Sequence, residues 1–248
     1  MGNLTGKVAV VTGASKGIGA AIAEDLASHG ARVVVNYASS RQQAEEVVSR
    51  IRSKGGEAKA VHADVSKPAE AKQLVASAVK EFGRLDILVN NAGVYEFKPL
   101  GEIGEEHFHR MFDLNVKGLL FATQAAAKAF GGDGGSVVNI SSMASTGALP
   151  TTAVYSATKA AVDSFTRTLA AELGPQKVRV NSVLPGPVET EGTHSMAEFD
   201  NVVAWAVPQT PLGRVGQPRD IATVVSFLVS PDAGWLTGQV IPTAGGLR

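Results

Sequence analysis

Runs of β-branched and aliphatic residues alternate with segments of helical periodicity along the whole chain. Short apolar runs at 8–12, 32–36, 58–63, 87–90, 137–140, 178–184 and 239–242 read as strands. They are apolar at nearly every position instead of every second one, which suits strands covered on both faces of a parallel sheet. Between them apolar residues recur at helical spacing: Ile18, Ile22 and Leu26; Ala44, Val47 and Ile51; Ala71, Leu74, Val75, Ala78 and Phe82. Further helices are predicted over 116–129, 152–173 and 219–228, and Gly30, Gly55 and Gly83 stand where helix ends call for a left-handed residue. Repeated strand–helix–strand units with right-handed crossovers predict an α/β fold, a doubly wound parallel sheet with helices on both faces. No linker, repeat or low-complexity segment interrupts the pattern, so residues 1–248 are expected to form one domain.

Composition narrows the chemistry. The formal net charge is zero and like charges do not cluster, which argues against a nucleic acid or an anionic membrane as partner. The chain has no cysteine, so disulfides, thiol catalysis and zinc–thiolate sites are excluded. His107 and His109 are two apart on a helical stretch and point to different faces, so no metal site is expected. The first strand follows the N-terminus closely, without a basic stretch and apolar leader, and no apolar run reaches membrane-spanning length. The expectation is a soluble, cytoplasmic protein.

Thr12-Gly13-Ala14-Ser15-Lys16-Gly17-Ile18-Gly19 follows the first strand and opens the first helix. Gly13 can make the tight turn, Gly17 lets the backbone approach a pyrophosphate, and Gly19 allows close helix–sheet packing. The helix N-terminus then faces the phosphates with free N–H groups and a favourable dipole. The position between a strand and a helix makes this more than a glycine-rich turn. Three more loops follow strand ends: Asp64-Val65, Asn90-Asn91-Ala92-Gly93 and Ser141-Ser142. In a doubly wound sheet these ends surround the ligand, though Asn and Gly also serve ordinary turns. An acidic residue ending the second strand would bind the adenosine 2′-hydroxyl of NAD; here Asn36 stands there, with Lys16 and Arg41 nearby. Unless both cations are merely solvated surface, that favours NADP(H).

Tyr155 and Lys159 lie four apart on a helical stretch, one turn from each other on the same face. A neighbouring cation favours the phenolate. Bringing a tyrosine from ~10 to ~7 requires about 4 kcal/mol, more than one exposed ammonium supplies, so an oxidised nicotinamide is expected to contribute. Many solvated helices carry the same spacing by chance, and only its neighbours give it meaning.

Together the Thr-Gly-x-x-x-Gly-x-Gly loop, Asn90-Asn91-Ala92-Gly93, Ser142 thirteen residues before Tyr155, and Tyr155-x-x-x-Lys159 resemble the short-chain dehydrogenase/reductase family. The resemblance spans the whole chain and implies a Rossmann-type sheet of seven strands, hydride exchange between a nicotinamide and a carbonyl or alcohol, and a homotetramer. It implies that Tyr155 is the general acid in reduction and the base in oxidation, with Lys159 lowering its pKa and holding the nicotinamide ribose. Ser142 would hydrogen-bond the substrate oxygen, the usual large electrostatic contribution, and Ser141 would be a structural hydroxyl. Asn115 would anchor a water relay to the lysine, unless it merely satisfies a helix bend. In Pro185-Gly186-Pro187-Val188-Glu189-Thr190 the family pattern implies a grip on the nicotinamide carboxamide through Val188 and Thr190. The pattern is broken at Ala244, where the family commonly has an acidic residue before its final glycine pair, and that bears on subunit contacts.

Selectivity is expected from a lid at about 189–212. Phe199, Val202, Val203 and Ala206 fall at helical spacing there, with Met196 and Trp205 beside them, which predicts a short amphipathic helix over the pocket. Tyr95, Phe97, Met143 and Leu149 sit on other loops expected to line the same cleft. No Lys or Arg occurs between Arg179 and Arg214, whereas a carrier-bound acyl substrate would call for a basic dock. The expected substrate is therefore a neutral, partly apolar small-molecule ketone or alcohol. The alternatives are a 3-oxoacyl carrier-protein reductase and, in a different class, a non-catalytic nicotinamide-sensing protein. The latter would be expected to lack one of Ser142, Tyr155 and Lys159.

Overall fold

All four side chains of β1 (Val8–Val11) are buried, and they alternate between two cores. Ala9 and Val11 join an apolar cluster with Ile22 and Leu26, whereas Val8 and Val10 join another with Leu74 and Ala78. Successive strand residues face opposite sides, so a strand this apolar must be covered on both. The structure, a computed structural model, describes residues 2–194 and 199–247. Met196 of the expected lid lies outside the described residues.

β2 (Arg32–Tyr37), β3 (Glu57–His62), β4 (Ile87–Asn90), β5 (Gly135–Ile140), β6 (Val178–Pro185) and β7 (Val240–Thr243) complete a seven-stranded sheet. Its order is β3-β2-β1-β4-β5-β6-β7, and every pairing is parallel. The first apolar cluster carries α1 (Gly17–Ser28) and α2 (Arg41–Ser53), with the later helix Pro218–Val229. On the other face lie α3 (Pro68–Phe82), with residues of Leu119–Ala129 and Ala153–Leu173. A fully buried Leu or Val side chain contributes roughly 1.5–3 kcal/mol, so the two clusters supply the main driving force of the fold. Strand order reverses between β1 and β4, which opens a crevice at their C-terminal ends.

The sequence predicted a helix over 116–129. The structure begins earlier, with α4 (Glu105–Phe112), passes through a π turn at Asp113–Gly118, and continues as α5 (Leu119–Ala129). Gly118 allows this turn to press on the loop after β3, because a Cβ there would lie 2.9 Å from the Val65 carbonyl oxygen. The wide turn carries Asn115, which apolar periodicity cannot register. α6 (Ala153–Leu173) is the long helix with Tyr155 and Lys159 in its first turns. The lid contributes α7 (Glu191–His194) and α8 (Phe199–Ala206), and α9 (Pro218–Val229) returns to the first face. Among the described residues no helix is long and apolar enough to cross a membrane.

Candidate active site

The loops after β1 and β4 are bolted together at the point of strand reversal. Thr12 Oγ1 accepts hydrogen bonds from the Asn91 and Ala92 amides at 2.9 and 3.0 Å. Asn91 Nδ2 donates to the Thr12 and Gly13 carbonyls, both at 2.9 Å. Gly13 has φ +61°, and a Cβ there would lie 2.9 Å from the Ala92 Cα. A Cβ on Gly19 would lie 2.4 Å from Asn91 Nδ2, so α1 can pack this closely only on a glycine. The sequence reading quoted Thr12 only as the start of the glycine motif and gave its hydroxyl no part; the structure makes it the bolt between the two loops. Its signal was a hydroxyl at a strand end facing the neighbouring strand.

At Lys16, the N-cap of α1, no side-chain cap bond is made, and the first turn contains no acidic residue. The amides of Ile18 and Gly19, with that of Gly17, which here donates to Glu191 Oε2, form an anion cradle beside Ser15, and the helix dipole at this end suits a diphosphate. A dinucleotide fits these residues. Asn36 requires a correction. Its carboxamide is buried: Oδ1 accepts from the Gly13 amide at 3.0 Å and Nδ2 donates to the Ala63 carbonyl at 3.0 Å. It braces the glycine loop and does not present itself to a ribose. The exposed positions after β2 are Ala38, Ser39 and Arg41. Arg41 and the exposed Lys16 make no ion pair with a described residue.

After β3, Asp64 accepts from both the amide and the hydroxyl of Ser66 at 3.0 and 2.7 Å. Burial pushes its carboxyl up, but Ser66 and Lys67 outweigh this and hold it below the usual value. Val65 is buried beneath the π turn. Gly93 is exposed, and a Cβ on it would lie 3.2 Å from Asn115 Oδ1 and 3.7 Å from Lys159 Nζ. The loop after β4 and the π turn therefore meet beside the lysine.

Tyr155 is half-buried, with Ser142 on one side and Lys159 on the other. Lys159 is buried and donates to the Ile140 carbonyl at 2.9 Å, while its Nζ lies 5.7 Å from the Tyr155 ring centroid. Burial lowers Lys159 to about 8, against the pull of the Asp163 carboxylate one turn further along α6. The expectation that Lys159 draws the phenol down is not met by the protein alone. Burial pushes Tyr155 above its ordinary value of 10.0, opposed by the Ser142 hydrogen bond and reinforced by Tyr95. Ser142 Oγ also accepts from the Ala144 amide at 3.1 Å. The Ser141 hydroxyl, by contrast, is turned inward and donates to the Lys159 carbonyl at 3.2 Å.

Asn115 is 2 % exposed and fully engaged. Oδ1 accepts from the Val94 amide at 2.8 Å, and Nδ2 donates to the Val94 carbonyl at 2.8 Å and to Thr158 Oγ1 at 3.1 Å. The carboxamide thus clamps the loop after β4 onto α6. π turns recur at functional sites because they swing one residue out of helical register, and here that residue is the clamp.

The Val94 loop presents an aromatic wall. The Tyr95 and Phe97 rings are edge-on to Tyr155, with centroids 6.4 and 5.9 Å away, and stack on each other at 6.1 Å. Leu149 is exposed and Met143 half-buried on the loops opposite. Of the lid residues, Trp205 is exposed, whereas Phe199 and Ala206 are buried, so the apolar stripe of α8 packs inward and Trp205 faces out. A cavity of about 660 Å³ borders this region, lined by Met143, Pro187, Ala206, Leu212 and the tail through Leu247. Pro185 ends β6 and Gly186 follows it, where a Cβ would lie 2.9 Å from the Ala244 side chain. Val188 is buried, and the Thr190 hydroxyl is engaged by the Thr193 amide at 3.1 Å.

This fold and this constellation define a class. The chain belongs to the short-chain dehydrogenase/reductase family, whose members are oxidoreductases acting on CH–OH and C=O groups. The family model described as "Enoyl-(Acyl carrier protein) reductase" matches residues 13–248. An uncharacterised oxidoreductase from Methylorubrum extorquens is 58% identical over 249 residues, covering 100% of both chains. A hydroxynaphthalene reductase-like protein of Metarhizium robertsii is 42% identical, covering 98% of this chain and 96% of its own. The solved structure of a blue fluorescent protein from a metagenomic library, in complex with NADPH, superposes with a TM-score of 0.92 at 37% identity, covering 99% of each chain.

Proposed function

We propose that the protein is an NADP(H)-dependent reductase of neutral, aromatic or largely apolar ketones, with alcohol oxidation as its reverse reaction. The observation that carries this reading is a phenol set beside the buried Lys159 and opening onto the Tyr95–Phe97 wall. The nicotinamide, when bound, supplies the hydride. The cradle at Gly13–Gly19 holds the diphosphate, with Asn91 and Ala92 shaping it through Thr12. Lys16 and Arg41 take the 2′-phosphate, Lys159 the nicotinamide ribose, and Val188 and Thr190 the carboxamide.

Tyr155 donates its proton to the oxygen that becomes the alcohol, and Ser142 orients that oxygen through a second hydrogen bond. The protonated phenol is the form that donates in reduction, and the reverse oxidation requires its ionised form. The ammonium of Lys159 keeps positive charge beside the developing tyrosinate. Planar rings suit a wall built from Tyr95 and Phe97. The name of the Metarhizium relative supports an aromatic substrate. The absence of Lys and Arg from 180–213 speaks against a docked carrier protein.

The test is a panel of aryl ketones, aliphatic ketones and a carrier-bound 3-oxoacyl substrate, assayed with NADPH and NADH by nicotinamide absorbance. NADPH and aryl ketones are expected to lead. Tyr155→Phe should lower turnover about 10²- to 10⁴-fold while leaving NADPH binding intact. Undiminished turnover in that variant would refute the mechanism, and dominant, salt-sensitive turnover of the carrier substrate would refute the substrate class.

A further inference from the structure

The first amide of α1 already has a partner, and it comes from the lid. Gly17 N donates to Glu191 Oε2 at 3.1 Å, across 174 residues of sequence. The contact is close-fitting: a Cβ on Gly17 would lie 3.4 Å from Thr190 Cγ2 and 3.8 Å from Glu191 Oε2. Glu191 is held out by a small rigid hook. The Thr190 amide donates to Thr193 Oγ1 at 2.8 Å, the Thr193 amide donates to Thr190 Oγ1, and the Thr193 hydroxyl reaches the Val188 carbonyl at 3.2 Å. α1 has neither a side-chain cap nor an acidic residue in its first turn, so the carboxylate at this end is supplied from outside the helix.

A helix N-terminus binds one anion at a time at a given amide, and a carboxylate there occupies the place of a phosphate oxygen. We propose that Glu191 is an internal competitor for the cofactor's diphosphate and so an affinity-determining residue of the cofactor site. The diphosphate takes the Gly17 amide, electrostatic repulsion drives Glu191 away, and the lid leaves its resting position. The neighbouring residue extends the effect to the substrate cleft. A Cβ on Gly192 would lie 3.2 Å from the Tyr95 hydroxyl, so the segment that carries Glu191 also rests on the aromatic wall beside Tyr155.

This inference rests on the dinucleotide reading, and its test separates the two. NADPH is titrated by its own fluorescence into the unaltered protein, into Glu191→Gln and into Glu189→Gln. Glu189 carries the same charge nearby but bonds Gln217 Nε2. Glu191 is exposed, so its replacement leaves the cores untouched. Glu191→Gln is expected to bind NADPH about three- to tenfold more tightly, the net worth of one ordinary exposed hydrogen bond, since the glutamine can still accept from Gly17, with Glu189→Gln within about twofold of the unaltered protein. Hydrogen exchange of the lid peptide covering 188–194 should be faster in ligand-free Glu191→Gln than in the unaltered protein. Unchanged or weaker binding by Glu191→Gln overturns the proposal. So does an equal gain in Glu189→Gln, which would mark a general charge effect, and so does an unchanged lid exchange rate. Failure of the unaltered protein to bind either dinucleotide would instead overturn the dinucleotide reading.

Discussion

Replacing Asn115 with leucine keeps the volume of the side chain and deletes its polarity. In the structure its carboxamide holds the Val94 amide and carbonyl at 2.8 Å each and Thr158 Oγ1 at 3.1 Å. Thr158 keeps its own bond to the Tyr155 carbonyl at 2.7 Å, so it loses only an acceptor role. The loss therefore falls on the two Val94 backbone groups, each costing about 1–3 kcal/mol when left without a partner in a buried setting. Val94 is only partly buried and water can reach it in part, which places the sum in the lower range, about 2–4 kcal/mol. Urea unfolding followed by fluorescence, with equal m-values for the two proteins, would measure it. The Tyr95–Phe97 wall hangs from the same clamp, so the KM for an aryl ketone should rise together with the loss of stability. A loss below about 1 kcal/mol would refute the claim that the carboxamide clamps this loop.

Gly19→Ala would place a methyl group 2.4 Å from Asn91 Nδ2 and 2.5 Å from the Gly13 carbonyl. It should destabilise the protein by about 1–3 kcal/mol and weaken NADPH binding, both readable by thermal shift with and without NADPH; an unperturbed variant would contradict the packing. Lys159 has its own pH signature, since its pKa of about 8 in the fold lies below the ordinary 10.5. Between these values the unfolded chain binds the extra proton, so the lysine's contribution to stability is complete above 10.5 and lost as pH falls through about 8. Relative to Lys159→Met, the ligand-free protein should gain stability from pH 8 to pH 10 by about 1 kcal/mol per pH unit, measured by urea titration at each pH. A difference independent of pH would mean that the buried amine carries no such shift.

Much of this architecture can be read from the chain because its strands are apolar at consecutive positions and its helices at every third or fourth. β1 shows the strand rule directly, with Val8 and Val10 on one face and Ala9 and Val11 on the other. The site was legible where a residue type has few other uses: the glycines at positions 13 and 19, and the Tyr155–Lys159 spacing. It was not legible where polar side chains serve the backbone. Asn36 stood at the expected place but faces inward, because the Gly13 amide at a left-handed turn needs an acceptor. The part played by the Thr12 hydroxyl was not read because a single hydroxyl at a strand end has no periodicity. The direction of the Tyr155 shift escaped the reading for a related reason. Spacing gives the distance between two groups but not the burial that surrounds them, and burial prevails here. The Gly17–Glu191 contact joins residues that no local pattern connects.

The bolts of the glycine loop also set when, during synthesis, the loop can take its shape. Its partners are Asn36, Asn91, Ala92 and Glu191, up to 174 positions downstream. While the ribosome has exposed only the first strands, the whole glycine motif is present but Thr12 has no amides to receive and Gly19 no side chain to pack under. A nascent or truncated chain ending before residue 91 would carry the motif intact and its brace from Asn36, but none of the bonds from the loop after β4 that fix it. Cofactor affinity should therefore arrive late and abruptly as the chain lengthens, which makes dinucleotide capture a readout of how much of the protein has been made.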